Sequence, residues 1–246
     1  MFACNICGSN CDAEKLERET PSCQNCGSNV RFRWIVHALS TALFGQSLPL
    51  NEFPERKDIR AIGLSDPEPI AAVLAQRFDY LNTTYHRRPR FDITDPKELD
   101  AFDFVIASEV FEHVASPIQR AFDNLHRILK PGGFAIFSTP TEPHGDTVEH
   151  FPSLFDWQLV QLTTGPVLLN RNRDGHLETY EDLHFHGGEG STLEMRVFSE
   201  QGLLANCKAA GFHPIQQAED FEPWGIRWEP WARGLILRKG ISSKAL

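Results

Sequence analysis

The chain has 246 residues, of which 41% are hydrophobic, and its formal net charge at pH 7 is −9. This length and apolar content suffice for one large domain with its own core and a small accessory domain. The acidic balance argues against a nucleic-acid phosphate backbone as partner, and no stretch resembles a membrane span or a signal peptide. We therefore expect a cytoplasmic protein, without a membrane partner, that acts on a small or neutral molecule.

Five of the six cysteines lie within the first 26 residues. Cys4-x-x-Cys7 and Cys23-x-x-Cys26 have the spacing of two zinc knuckles, which place four thiolates around one ion. Disulfides are the alternative, but a cytoplasmic protein would not keep them. We expect residues 1–30 to form a zinc ribbon with a structural Zn²⁺, because so short a segment buries little core and gains folding energy from a metal.

A helix and a loop, together residues 31–58, are predicted to follow the ribbon. Apolar residues recur at helical spacing from Arg31 to Phe44, and Gly45 is suited to end the helix. Two prolines mark the following loop. This linker should connect the ribbon to a larger domain at 59–240.

The larger domain opens with a predicted strand, helix and strand. Ile59–Asp66 has the pattern of a buried strand and the turn beyond it. A helix is predicted around Pro69–Arg77, and Phe78–His86 is predicted to contain the second strand and its exit.

The segment Phe102–Pro140 has the clearest pattern of the chain. Its apolar run Phe102–Ala107 predicts a buried parallel strand. Ser116 is suited to cap a helix whose apolar face ends at Leu129, and a Lys-Pro-Gly-Gly run ends that helix. A second apolar strand is predicted at Phe134–Ser138. The segment is therefore expected to be a strand–helix–strand crossover.

Three polar residues, Glu109, Glu112 and His113, follow the first strand of this crossover. Ligands of open α/β sheets bind at the carboxyl ends of strands. The order strand, Glu-x-x-Glu-His, helix, Leu-Lys-Pro-Gly-Gly, strand resembles the second half of a class I S-adenosylmethionine (SAM)-dependent methyltransferase. The resemblance implies an α/β fold with a Rossmann-like seven-stranded sheet and SAM as the cofactor.

In the resembling enzymes, the turn after the first strand carries several glycines and approaches the methionine half of the cofactor. Here Gly63 is present, Ser65 stands at a second glycine position, and no acidic residue precedes the turn. The exit of the second strand also lacks the carboxylate that usually binds the ribose. Asn82, Thr83 and Tyr85 are the candidate neutral replacements.

The resemblance assigns four more residues to the cofactor. Asp92 and Ile93 match a short segment that contacts the adenine in related enzymes, which we favour for Asp92 over the alternative of a solvated turn aspartate. Ser108 and Glu109, at the end of the crossover's first strand, complete the expected cofactor-binding set.

Residues 141–197 show no regular pattern and are rich in histidine. An insertion of this length beside the ligand-binding edge indicates a lid or an acceptor-binding segment. After it, Ser199 is suited to cap a helix, and Phe212–Ala218 and Gly234–Arg238 are expected to form the last, antiparallel strand pair.

Spacings of three and four residues place Glu109, Glu112 and His113 on one face of a helical turn, and this set suits a divalent ion. The motif also resembles metal-dependent methyltransferases of the ubiquinone pathway and of small-RNA 3′ ends, in which these residues are ligands. In the RNA branch a further downstream histidine completes the set. We expect His150 to be that fourth catalytic ligand. Such an ion, Mg²⁺ or Mn²⁺, would lower the pKa of an acceptor hydroxyl. The other candidates for the fourth ligand are His144, His184 and His186.

Metal-free relatives offer different roles for the same motif. There the glutamate caps local backbone and the histidine orients the substrate or acts as the base, and a purely structural role is the third possibility. The main hypothesis is a SAM-dependent O-methyltransferase that acts on a hydroxylated small molecule or a glycan. The alternatives are a methyltransferase of an RNA terminus that reads RNA through its zinc ribbon, and a cofactor-binding or scaffolding protein without catalysis.

Overall fold

The structure, a computed structural model, describes residues 1–12, 15–186, 192–229 and 234–241. Its α-helices are α1 (Val30–Phe44), α2 (Glu68–Arg77), α3 (Gln119–Ile128) and α4 (Glu200–Ala209). Its β-strands are β1 (Phe2–Ala3), β2 (Asn10–Cys11), β3 (Arg56–Leu64), β4 (Phe78–Thr83), β5 (Phe102–Ser108), β6 (Leu129–Ser138), β7 (Thr141–Glu142), β8 (Val148–Glu149), β9 (Asp156–Leu162), β10 (Gly165–Arg171), β11 (Leu177–Tyr180), β12 (Arg196–Ser199), β13 (Phe212–Gln217) and β14 (Leu235–Lys239).

A sheet with the strand order β13-β14-β6-β5-β3-β4 forms the centre of the fold. The strands β4, β3, β5 and β6 are parallel, and β14 and β13 extend the sheet as antiparallel strands. Apolar residues of α1 and α2 belong to one core cluster, and those of α3 and α4 belong to a second. The predicted Rossmann-like α/β fold and its last antiparallel strand pair are confirmed.

This sheet has six strands among the described residues, whereas the resemblance predicted seven. A seventh strand would pair with the free edge of β4. In the described part of the chain that edge makes one isolated bridge, between Thr84 and Arg90. The side chain of Asp92 then accepts hydrogen bonds from the backbone and hydroxyl of Thr94, so the chain turns before a further ladder forms.

The helix caps agree with the predictions at Gly45 and Ser199 but not at Ser116. α1 ends at Gly45, which has a φ of 70°, and the Ser199 side chain caps α4. The crossover helix begins at Gln119 rather than at Ser116, because the Ser116 hydroxyl donates instead to Glu149 Oε2 at 2.5 Å. None of the helices in the described ranges combines the length and the apolar character that a membrane span requires.

The Leu-Lys-Pro-Gly-Gly run lies inside β6, which therefore begins earlier than the predicted Phe134. A Cβ atom at Gly133 would lie 2.9 Å from the backbone oxygens of Asp103 and Lys130. Glycine at this position therefore permits the close approach of β6 to β5, whereas the helix has already ended at Ile128.

The insertion at 141–197 contains regular structure, so the expectation of an irregular stretch was wrong. β9, β10 and β11 form an antiparallel meander, and β12 pairs with both β7 and β8. β7 and β8 have two residues each and β9 has no buried residue, so alternation of apolar and polar residues does not mark these strands. Residues 187–191 of the insertion lie outside the described residues. A small apolar cluster underlies the meander and contains Phe151, Leu168, Leu193 and Met195.

The amino-terminal module packs directly on the larger domain. Arg33 of α1 is fully buried and donates to the backbone oxygens of Ser28 at 2.9 Å, Trp224 at 2.7 Å and Gly225 at 2.9 Å. The ring of Phe2 lies so close to Gly225 that a Cβ there would be 2.5 Å from it. Buried polar and apolar contacts therefore join the two parts of the chain, in addition to the linker.

Candidate active site at the end of the central sheet

The predicted motif lies in a short turn after β5. Glu109 has a φ of 57°, in the left-handed region that residues other than glycine rarely adopt. Its backbone N–H donates to the backbone oxygen of Ser138, at the end of β6, at 2.9 Å. Phe111 is fully buried against two other phenylalanine rings. These contacts fix the turn that carries Glu112 and His113 at the carboxyl edge of the sheet.

Both carboxylate oxygens of Glu109 bind Arg18 of the amino-terminal module. Arg18 Nη1 donates to Oε2 at 3.0 Å, Arg18 Nη2 donates to Oε1, and the Ser138 hydroxyl donates to Oε1 at 2.9 Å. Burial works to raise the pKa of Glu109, but the charges of Arg18 and Arg31, together with the hydrogen bonds from Arg18 and Ser138, outweigh it and the pKa is lowered. Glu109 is therefore ionised and lies outside the group that Glu112 and His113 form.

Ser108, the last residue of β5, is also held by the module. Arg31 Nη1 donates to its hydroxyl oxygen at 2.6 Å, and the hydroxyls of Ser108 and Ser138 are 2.8 Å apart. Two arginines from the amino-terminal part of the chain thus reach the end of β5.

Glu112 is a buried carboxyl group with one oxygen unpaired. Its side chain is 1% exposed, and Thr139 Oγ1 donates to Oε2 at 2.9 Å. Oε1 has no hydrogen-bond partner among the described residues. Burial, reinforced by the charge of Glu109, raises the pKa of Glu112 to about 8. Glu112 therefore carries a proton at neutral pH when no cation is beside it.

His113 presents one ring nitrogen to Glu112. Its Nδ1 lies 3.1 Å from the backbone oxygen of Leu193, and because a carbonyl only accepts, Nδ1 donates and Nε2 keeps its lone pair. Nε2 is 3.7 Å from Glu112 Oε1. Burial lowers the pKa of His113. The two residues are therefore a neutral acid beside a neutral base.

The insertion adds a second histidine to this pair. The ring centroids of His186 and His113 are 5.2 Å apart, and one ligand atom each from Glu112, His113 and His186 lie within 4.8 Å of one another. The predicted fourth ligand, His150, lies outside this group, because Glu194 stands between His186 and His150. Glu194 Oε2 is 2.6 Å from His186 Nε2, and Glu194 Oε1 is 2.9 Å from His150 Nε2. The structure thus brings together Glu112 and His113 with His186 instead of His150.

Sequence reasoning missed Glu194 and Arg196. The Met195 N–H donates to the backbone oxygen of Glu112 at 2.7 Å, which places Glu194 beside the histidines. Arg196 is fully buried and donates to Glu149 Oε1 at 2.6 Å and to the backbone oxygen of Phe111 at 2.8 Å. A charge within a short apolar strand was the signal for Arg196, whereas Glu194 lies in a segment without any pattern.

Around Gly63, the turn after β3 is tightly packed. A Cβ at Gly63 would lie 2.0 Å from Tyr80 Oη and 2.2 Å from Asp66 Oδ2, so only glycine fits. Ser65 has a φ of 65°, the conformation that glycine ordinarily supplies. Asp66 is 7% exposed and accepts a hydrogen bond from Tyr80 through Oδ2, while Oδ1 has no partner within the described part of the chain. Burial raises the pKa of Asp66 to about 7.

Two predicted cofactor residues hold this turn in place. The Asn82 side chain accepts from the Asp66 N–H at 3.0 Å and donates to the Asp66 oxygen at 3.0 Å. Thr83 donates to the Gly63 oxygen at 2.9 Å. Tyr85, the third candidate, is 52% exposed. Sequence reasoning passed over Asp66, the one carboxylate that is buried in the turn itself.

Asp92 and Ile93 lie in a turn next to α3. Ile93 is buried, and its backbone oxygen accepts from Asn124 Nδ2 of α3 at 2.9 Å. Asp92 is half-buried, and one of its oxygens accepts from Thr94. The second oxygen, Oδ2, lies 3.9 Å from Arg90.

The four predicted zinc ligands converge in the amino-terminal module. The Sγ atoms of Cys4 and Cys26 are 3.7 Å apart, those of Cys7 and Cys23 are 3.6 Å apart, and all four lie within 4.8 Å of one another. Thiolates around a tetrahedral Zn²⁺, with Zn–S bonds of about 2.3 Å, are separated by about 3.8 Å. The arrangement therefore has the dimensions of a tetrahedral zinc site.

Comparison with known proteins gives a family and a set of distant structural relatives. The family described as "Methyltransferase domain" matches residues 50–217. The 1,6-didemethyltoxoflavin-N1-methyltransferase of Burkholderia thailandensis is 15% identical, with a TM-score of 0.47 over 84% of this chain and 77% of that chain. The sugar N-methyltransferase KedS8 of Streptoalloteichus sp. ATCC 53650 is 14% identical, with a TM-score of 0.47 over 89% and 91%. No curated protein sequence matches the chain.

Proposed function

The chain belongs to the family of methyltransferase domains, enzymes that take a methyl group from SAM, and we propose that this member delivers it to a hydroxyl oxygen of a small molecule or glycan. The observation that carries the proposal is the neutral pair of Glu112 and His113 at the carboxyl end of β5. Methyl transfer to a hydroxyl requires removal of its proton, and a neutral imidazole is suited to accept that proton at physiological pH.

The turn after β3 fits a cationic cofactor. SAM carries a sulfonium and, at its methionine end, an ammonium group. Asp66 offers a buried carboxylate with the unpaired oxygen Oδ1. A bound ammonium would satisfy that oxygen and favour the ionised carboxylate. Gly63 is the next-to-last residue of β3, Ser65, whose φ is 65°, follows the strand, and Ser108 and Glu109 lie at the end of the neighbouring strand β5.

The chain's own residues then act on the acceptor. SAM, when bound, supplies the activated methyl group, so the protein has to hold the acceptor oxygen in line and remove its proton. His113 Nε2 is the expected proton acceptor, because the bond from Nδ1 to Leu193 fixes the tautomer. Glu112 lies 3.7 Å from Nε2, and in its ionised form it would stabilise the imidazolium that forms. Glu194 and His186 of the insertion lie next to this pair.

A divalent ion fits the same group. One carboxylate oxygen of Glu112, one nitrogen of His113 and one of His186 lie within 4.8 Å of one another, and Oε1 of Glu112 lacks a partner among the described residues. A carboxylate and two imidazoles suit Mn²⁺ or a similar ion, which would ionise Glu112 and lower the pKa of the acceptor hydroxyl. Separately, a Zn²⁺ held by the four cysteines would have a structural role, since four thiolates leave no open coordination position.

Calorimetric titration with S-adenosylhomocysteine (SAH), followed by an acceptor screen, tests the proposal. The wild-type protein should bind SAH, and absence of binding would favour the non-catalytic alternative. The screen compares phenol, catechol and methyl-glycoside acceptors with a matched amine and a matched thiol, with mass spectrometry of the product. Methylation of a hydroxylated compound should be lost in His113→Gln and retained in the exposed control variant His176→Gln. Methylation of the amine alone would refute O-methylation.

A further inference from the structure

Two arginines from the amino-terminal part of the chain contact residues at the end of β5, in the candidate active site. The Arg18 side chain is 7% exposed and binds both oxygens of Glu109, while Arg31 binds the Ser108 hydroxyl at 2.6 Å. Glu19 joins the two arginines, since its Oε1 accepts from Arg18 Nη1 at 2.8 Å and from Arg31 Nε at 2.7 Å. The module thus supplies the positive charge that the carboxylate at the end of β5 requires.

The position of Arg18 depends on the fold of the module. Its backbone oxygen accepts from the Arg31 N–H at 3.3 Å, and its N–H donates to Glu229 Oε1 at 3.2 Å. Five residues later the second cysteine pair begins, with its turn closed by the bond from Gly27 N to Cys23 O at 2.9 Å. The buried apolar cluster of the module consists of Phe2 and three cysteines. So small a core needs a cross-link such as a metal ion to stay folded.

Glu109 in turn depends on Arg18. Its backbone has a φ of 57°, a strained conformation for a residue other than glycine. Its carboxylate accepts two hydrogen bonds from Arg18 and one from Ser138. Without Arg18, a carboxylate with 19% exposure would keep Ser138 as its remaining donor among the described side chains. The strained turn would then lose one of the contacts that restrain it.

From these contacts we infer that the four-cysteine module is part of the active site, and that Arg18 is a positioning residue that holds Glu109 and the end of β5 in place. A metal ion bound by the four thiolates would act on the site through this contact. That this region is an active site rests on the proposed function. The structural coupling between the cysteines and Glu109 does not depend on it.

The variant Arg18→Met removes the link, and Lys15→Met is its matched control, because Lys15 lies on the same segment with 80% of its side chain exposed. Three quantities are measured: zinc content, backbone hydrogen exchange of a peptide covering residues 102–113, and SAH affinity. Arg18→Met should keep the zinc content of the wild type. Backbone hydrogen exchange at Glu109 should become at least about tenfold faster. SAH should bind at least about tenfold more weakly, because binding would then have to order the end of β5. Lys15→Met should behave like the wild type.

Two further comparisons distinguish the contact between Arg18 and Glu109 from general destabilisation of the protein. Removal of zinc from the wild type, or the substitution Cys23→Ser, should reproduce the faster exchange at residues 102–113. In a Glu109→Gln background, Arg18→Met should have little further effect, since the partner is already changed. Wild-type exchange in Arg18→Met, or in the zinc-free protein, would overturn the inference. A wild-type protein that binds no SAH would refute the proposed function, while the exchange data would still decide the inference.

Discussion

The substitution Glu112→Gln should make the stability of the protein less sensitive to pH. Glutamine has the size of a protonated glutamic acid. Its Oε1 can accept from Thr139, and its amide can donate toward His113 Nε2, which lies 3.7 Å from the corresponding oxygen of Glu112. The variant should therefore fold normally and lack only the titration of this side chain.

The pKa of Glu112 gives the size of the effect. Folding raises this pKa from 4.5 to about 8, so the proton is bound in both states below 4.5 and is held by the folded state alone between the two values. The stability that depends on this proton is complete below 4.5 and is lost as the pH rises toward about 8. At about 1.4 kcal/mol per pH unit, the wild type should lose about 3 kcal/mol, relative to the variant, between about pH 5.5 and about pH 7.5.

Urea unfolding of both proteins at the two pH values measures this difference, without added Mg²⁺ or Mn²⁺. Contributions from other groups cancel, because they are common to the two proteins. Glu142→Gln, at an exposed carboxyl group on β7, is the control and should follow the wild type. If the stability difference between Glu112→Gln and the wild type were the same at both pH values, Glu112 would not be a buried, protonated acid.

Three other substitutions test the remaining parts of the site. Asp66→Asn should weaken SAH but spare methylthioadenosine, which lacks the ammonium group; equal weakening of both ligands in calorimetry would assign Asp66 a structural role. Mn²⁺ should raise the melting temperature of the wild type and of His176→Gln but not of His186→Gln, and a rise in all three would place the ion elsewhere. Arg196→Met should lower the unfolding free energy by about 3–5 kcal/mol, since it leaves a buried ion pair broken; a loss below about 1 kcal/mol in urea unfolding would contradict this reading.

The central sheet was predictable because its signals are local. Apolar runs predicted β5 and the end of β6, Ser199 and Gly45 are helix caps that act within a few residues, and parallel strands with helical connections allow few arrangements. The strands of the insertion were not predictable, because β7 and β8 are two residues long and are formed by pairing with the distant β12. Tertiary contacts, rather than pattern, create them.

The candidate site was predictable in its residue types and less so in its geometry. Helical spacing suggested that Glu109 and Glu112 share a face, but the left-handed φ of Glu109 directs the chain differently, and Arg18 binds the first carboxylate. The choice among several histidines depended on the path of the insertion. That path places His186, and not His150, in the group with His113. Contacts between residues 91 positions apart, such as that of Arg18 with Glu109, leave no trace in one sequence.

The two glutamates of the motif are neutralised in different ways, and this difference suits the proposed reaction. Arg18 compensates the charge of Glu109, and that charge, together with burial, keeps a proton on Glu112. In methyl transfer, the positive charge of the sulfonium is dispersed in the transition state. An uncompensated carboxylate beside the sulfonium would stabilise the reactant more than the transition state and would slow the reaction. One glutamate is paired with Arg18 and the other is protonated, so His113 can act as a base without an excess of negative charge around it. The amino-terminal module makes this possible, because it supplies Arg18.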